Sequence, residues 1–166
     1  MLVIGIDPGT ALTGYGFVRR HSDATLELVD YGVIRTSSRQ AMPRRLVKLH
    51  KELESLLKRH KPDQAAVERL FFQKNVTTAI SVGQARGVVL LALASAGLPI
   101  EEYTPQDIKL AVTGYGGADK GQMQRMVKML LTMDELPKPD DAADALAVAI
   151  CHAHSSALQD RIEASE

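Results

Sequence analysis

Leu2-Val3-Ile4-Gly5-Ile6-Asp7-Pro8-Gly9 opens the chain, and its reading decides the fold. An unbroken apolar run of this length predicts a buried strand. Pro8-Gly9 predicts the turn that ends it, and a carboxylate, Asp7, stands between the two. The next segments, 13–20 and 25–36, are β-branched, apolar or alternating, with turn residues between them. Short connections of this kind predict an antiparallel three-stranded meander.

Beyond the meander, Pro43 starts a helix to about His60, with Leu46, Leu49, Leu53, Leu56 and Leu57 at helical spacing. Lys61-Pro62-Asp63 stops it, and a second buried strand, Gln64-Ala65-Ala66-Val67, ends in Glu68. A helix is predicted over 76–96, ended by Gly97 and Pro99, then a short strand over 100–103 and a helix from Pro105. Gly114-Tyr115-Gly116-Gly117 is a turned loop, and Asp119 caps a helix over 120–131. The last helix starts near Asp140 and is expected to fade after about Ala153. Strand and helix alternation of this kind predicts an α/β fold, a mixed five-stranded sheet with helices on both faces. One domain over 1–155 is expected, with 156–166 a frayed or disordered tail.

Four carboxylates occupy telling places in this plan. Asp7 and Glu68 each end an apolar strand, and strands one and four of such a sheet can be neighbours. Asp141 and Asp144 open the Ala-rich stretch Asp141-Ala142-Ala143-Asp144-Ala145-Leu146-Ala147, where i and i+3 face one side of a helix. One of them can cap the helix while the other faces a site. Acids at strand ends are costly to bury unless a cation meets them. Clustered oxygen donors with few His or Cys suit a hard divalent ion such as Mg²⁺. The set reads as a metal-dependent site that cuts phosphodiesters. Each acid also has an ordinary account: Asp7 as turn chemistry, Glu68 as a surface residue, Asp141 and Asp144 as a helix cap and a first-turn acid. Those accounts must hold independently of one another, and they leave the neighbouring motifs unexplained.

Composition narrows the remaining classes. The chain has 166 residues, 45% of them apolar, enough for one domain with a real core. A single cysteine, Cys151, forbids an intrachain disulfide, and His152 and His154 beside it read as helix residues without zinc-type spacing. There is no signal-peptide pattern at the start, and the longest apolar run, Val88 to Ala96, is too short for a bilayer; a cytoplasmic protein is expected. Twenty Lys and Arg balance twenty Asp and Glu. If four acids hold metal, sixteen face those twenty cations. Arg44, Arg45, Lys48, Lys51, Lys58, Arg59 and Lys61 crowd one helix, most of them as a solvated face, while Lys109, Lys120, Arg125 and Lys128 form a second group suited to phosphate. The helix 76–96 is apolar around much of its circumference and needs cover on two sides, either from the core and a twofold partner or from the core all round as a central helix.

The ordered set of motifs resembles the RuvC family of Holliday-junction resolvases. The matching pieces are Gly5-Ile6-Asp7-Pro8-Gly9, Val67-Glu68 with Phe71-Phe72 and Lys74-Asn75, Gly83-Gln84-Ala85-Arg86-Gly87, Thr104-Pro105 with Lys109, Ala118-Asp119-Lys120, and the Asp141 to Ala147 stretch. The resemblance implies an RNase H-like fold, a homodimer, two Mg²⁺ or Mn²⁺ ions per site, and paired nicks of like-polarity strands at a four-way DNA junction in recombination and repair. It implies that Asp7, Glu68, Asp141 and Asp144 are the metal-binding acids, position 141 being the least fixed because some relatives carry His there. Phe71 corresponds to an aromatic that stacks on a base near the crossover. Lys74 and Asn75 fall in the same DNA-contacting motif, and Lys109 and Lys120 correspond to basic residues near the scissile phosphate. The branch-migration complex of RuvA and RuvB is the partner implied.

The chemistry is consistent with this on general grounds. Two divalent ions roughly 4 Å apart can hold the attacking water and the leaving 3′ oxygen of an in-line displacement. Asp7 is then placed to bridge both ions, Glu68 to serve one, and Asp141 and Asp144 the other, with Lys120 stabilising charge on the pentavalent phosphate. Other readings stay open from the residues alone. These are an actin- or Hsp70-type ATPase, which needs a second lobe, a related nuclease acting on RNA–DNA hybrids, and a non-catalytic junction-binding module.

Overall fold

The computed structural model describes residues 1–69 and 76–163. Five strands form one sheet in the order β3-β2-β1-β4-β5. They are β1 (Leu2–Asp7), β2 (Leu12–Arg20), β3 (Leu26–Arg35), β4 (Gln64–Glu68) and β5 (Ile100–Tyr103). The first three make the expected antiparallel meander, with Ile4 opposite Phe17 and Asp7 opposite Gly14. β1 pairs parallel with β4, Ile6 beside Val67, and β4 with β5. The parallel pairing follows from the long helical crossover, which returns the chain to the sheet in the same direction. Asp7 and Glu68 therefore end adjacent central strands at the same end of the sheet.

Alternation along the strands sends side chains to two cores. On one face Ile4, Ile6, Phe17, Ala65 and Val67 pack against α1 (Met42–His60) and α2 (Val76–Ser95). On the other, Val3, Val18 and Ala66 meet α3 (Pro105–Thr113), α4 (Lys120–Leu130) and α5 (Asp140–Glu163). Thr104 and Asp119 begin α3 and α4 with reciprocal capping boxes, to Asp107 and Gln122. Most of the basic residues on α1 are ordinary surface chemistry, as Lys48 pairs with Glu52 and Lys58 with Glu54 one turn away. Arg45 instead ties the loop after β1, donating to the Thr10 carbonyl and to Thr36 Oγ1.

What positions the site is a seam of glycines under α5. Gly5 and Gly16 are paired across β1 and β2, and Gly14 is two residues away. A Cβ on Gly5 would run into the backbone of Ala145 and Ala149, and one on Gly14 into the carbonyl of Asp141. Asp141, Ala145 and Ala149 are one turn apart, so a single small-residue stripe of the helix lies against the bare backbone of the sheet. Larger residues on either side would hold α5 away and carry its first turn out of reach of Asp7.

Two helices differ from the sequence reading. α5 continues to Glu163 rather than fading after Ala153; no Gly or Pro follows to end it, and Ser155 bonds back to the Cys151 carbonyl within the helix. α2 contains an 18-residue stretch, Thr78–Ser95, with a mean hydropathy of 1.4 and the length of a membrane span, although no unbroken apolar run in it is that long. Its inner face is core, Val89 and Leu93 being fully buried, while Ile80 and Leu91 face out, 60% and 58% exposed.

Candidate active site

Asp7, Glu68, Asp141 and Asp144 meet at one end of the sheet. β1 and β4 bring in the first two, and the glycine seam brings in the others by seating the first turns of α5 over Gly14. The turn behind Asp7 is fixed by Thr13, which is buried and donates its hydroxyl to the Gly9 carbonyl at 2.7 Å. Glycine is needed at position 9 because a Cβ would strike the Leu12 carbonyl. α5 begins at Asp140, so Asp141 lies inside the first turn and does not cap it.

Burial and crowding govern the charge state. Burial first, then Glu68, Asp144 and Asp141, push Asp7 up to about 8. Burial also raises Glu68 and Asp144, against the lowering pull of Asp7's hydrogen bond on Glu68 and of Lys120 on both. The directions are consistent with a protonated Asp7 donating to an ionised Glu68. Half-buried carboxylates sharing a proton in this way are held in a state that a multivalent cation would relieve. Among the described residues no three acidic, His or Cys side chains converge at ligand distance. The shared proton and Lys120 meet the excess charge instead. The donor set, all carboxylate oxygen, fits a hard divalent ion, and Asp7, Glu68, Asp141 and Asp144 are the residues that would hold one.

Two of the acids, Glu68 and Asp144, line a cleft of about 230 Å³ together with Lys109, Lys120 and Pro105. Lys120, in the first turn of α4, reaches across to α5, with Nζ 3.3 Å from Asp144 and 3.1 Å from Asp140. Burial would lower its pKa, but the pairing with Asp140 and Asp144 outweighs this and the net shift is upward. Lys109 is half-buried on the cleft wall. Asp140 is the site residue the sequence reading missed. Asp140 and Asp144 are one helical turn apart and so face the same cation, and Asp140 also accepts from Gln124 at 2.9 Å. Phe71, Lys74 and Asn75 lie outside the described residues.

The model of the family described as crossover junction endodeoxyribonuclease RuvC matches residues 3–152. Crossover junction endodeoxyribonuclease RuvC of Desulfitobacterium hafniense is 57% identical over 162 residues, 98% of each chain. Among solved structures, Thermus thermophilus RuvC is similar with a TM-score of 0.88 at 35% identity, over 96% of this chain and 97% of that one. T. thermophilus RuvC in complex with Holliday junction substrate is similar with a TM-score of 0.87 at 34% identity, over 95% and 96%.

Proposed function

The chain belongs to the RuvC family of crossover junction endodeoxyribonucleases, and from that membership we propose how its own residues divide the work of cutting a four-way DNA junction. It is an endonuclease that hydrolyses phosphodiester bonds and acts on Holliday junctions, with the metal dependence of its family. The assignment of roles rests on one observation: Glu68 and Asp144 line a cleft together with Lys109 and Lys120, and Asp7 and Asp141 stand close enough behind them to raise one another's charge cost.

Asp7, Glu68, Asp141 and Asp144 would hold the divalent ions, two of Mg²⁺ or Mn²⁺ in this reading. When bound, such ions supply Lewis acidity and activation of water for an in-line displacement. The chain's residues supply the rest. Asp7 and Glu68 would lose any proton held between them to bulk water on loading, and they present their oxygens from two adjacent strands, so the ligands need little reorganisation. Lys120 leaves its exposed contact with Asp140, which costs little because such pairs are screened by water, and donates to a phosphate oxygen as negative charge builds there. Lys109 holds the neighbouring backbone. In this reading Phe71 stacks on a base at the crossover, and Lys74 and Asn75 contact the strand beside it.

The test is cleavage of a synthetic mobile junction with Mg²⁺, Mn²⁺ or chelator, beside linear duplex and RNA–DNA hybrid, with the nicks mapped on a denaturing gel. Symmetric, metal-dependent nicks confined to the junction are expected. Binding without nicks, or preference for the hybrid, overturns the assignment.

Two cuts on symmetric strands need two sites, and we assign the outward face of α2, with Ile80 and Leu91, to contact with a second copy. Sedimentation at micromolar concentration is expected to give a dimer; a monomer alone would refute this. The branch-migration complex of RuvA and RuvB is the proposed partner, and failure of the three proteins to co-assemble on a junction would count against it.

A further inference from the structure

A second hollow of about 250 Å³ adjoins the cleft, lined by Thr113, Tyr115, Ala118, Gln122, Arg125 and Met126. Ala118 lines both and stands between them. None of the acids lines it, and the roles assigned above leave it unused.

Its most telling member is Tyr115. Among the described residues it is the one aromatic that is largely exposed, at 64%, while Phe17 is fully buried and Tyr15, Tyr31 and Tyr103 are half-buried. The ring is held in place. Thr113 Oγ1 accepts from the Tyr115 amide at 3.1 Å, and its one proton is shared between the Lys109 carbonyl at 2.8 Å and the Tyr115 carbonyl at 3.0 Å, which ties the loop back to α3. The ring lies over Gly117, where a Cβ would come within 2.6 Å of the phenol oxygen. Glycine at 117 thus leaves room for the phenol end of the ring against the loop while most of the side chain stays exposed.

Arg125 supplies the second element. Its guanidinium is exposed and folds back along α4 over Gly121, where a Cβ would stand 3.2 Å from Nη1. It has no carboxylate partner among the described residues, in contrast to Lys120, which has two. Arg125 is five positions after Lys120, about 7.5 Å along the helix axis and about 140° around it, so it serves the second hollow and not the cleft.

An exposed aromatic ring and an exposed guanidinium lining one hollow beside a phosphate-cutting cleft have the makings of a nucleotide subsite. We propose that this hollow takes a nucleotide flanking the scissile phosphate, with Tyr115 stacked on its base and Arg125 on its phosphate. Stacking on a protein ring requires a base that is splayed or partly unstacked, as near a strand crossover, so the subsite favours junctions over intact duplex. This inference rests on the cleft being the nuclease site.

The experiment places 2-aminopurine in turn at each position within three nucleotides of the cut and follows its fluorescence on binding in chelator. In the wild type one position is expected to respond. Tyr115→Phe retains that response, whereas Tyr115→Leu abolishes it and weakens junction binding roughly 5- to 100-fold. Arg125→Gln is expected to reduce the slope of log affinity against log salt by about one. A purely structural role for Tyr115 would leave the position of the fluorescence response unchanged. Wild-type cutting of the junction with an identical profile in Tyr115→Leu, or an unchanged salt slope in Arg125→Gln, overturns the subsite. Wild-type protein that cuts no junction overturns the nuclease site itself, and the subsite with it.

Discussion

Asp7→Asn is expected to bind a four-way junction as the wild type does and to cut it roughly 10³-fold more slowly or worse, since metal assistance is worth several kcal/mol at the transition state and each 1.36 kcal/mol is a factor of ten. The substitution removes an anionic oxygen and almost no volume, and Asp7 ends a strand whose pairing does not involve its side chain. A second readout follows from its charge state. With its carboxyl pushed up to about 8 from 3.8, the folded apo-protein keeps a proton that the unfolded chain has already lost. Raising the pH through that window therefore favours unfolding. In chelator, wild-type stability falls as the pH climbs from about 4 to about 8, and the Asn variant escapes much of that fall. Mg²⁺ restores the wild type and does less for the variant. Thermal melts across pH, with and without Mg²⁺, check the stability arm, and a cleavage assay checks the other. Wild-type cutting by Asp7→Asn would remove Asp7 from the site, and a wild-type melt indifferent to pH in chelator would mean that its carboxyl is not held up in the folded protein.

How much of this could be read from the chain depends on range. The strand carrying Asp7, the meander, the strand ending at Glu68 and the cap at Asp119 all announce themselves within a few residues, through apolar runs, turn residues and capping chemistry. Their observed bounds agree closely with that reading. The adjacency of Asp7 and Glu68 needed one more step, the parallel return of a strand after a helix. The glycine seam was not legible. Gly5, Gly14 and Gly16 are unremarkable singly, and only the approach of Ala145 and Ala149 shows why a side chain is excluded there. Asp140 was missed because its partner, Lys120, is twenty residues away across two helix ends, although the one-turn spacing of Asp140 and Asp144 was in view. His152, read as a helix residue, ties three elements together. Its Nδ1 lies 2.9 Å from the Tyr103 hydroxyl and its Nε2 2.7 Å from Gln64 Oε1, and burial lowers its pKa and keeps it neutral.

Lys120→Gln is the second substitution expected to act strongly, cutting the rate by roughly 10²- to 10³-fold, the usual loss when one preorganised donor to a developing anion is removed. Lys120 is half exposed, so its ion pairs with Asp140 and Asp144 add little to stability, and the variant should melt close to the wild type. The pairing raises its pKa despite the opposing effect of burial, so the ammonium stays charged across the neutral range. A group charged throughout cannot supply a titrating limb there. Its loss should lower the whole pH–rate profile without removing a limb, whereas a general acid would take one with it. Asp140→Asn separates the two partners: it frees Lys120 from one carboxylate while leaving Asp144, so the lysine still reaches the cleft and cutting persists. Measuring pH–rate profiles for all three proteins decides the matter. Cleavage by Lys120→Gln within about twofold of the wild type would leave no room for a donor contribution of that size. A lost limb would make Lys120 a proton donor instead of a fixed charge.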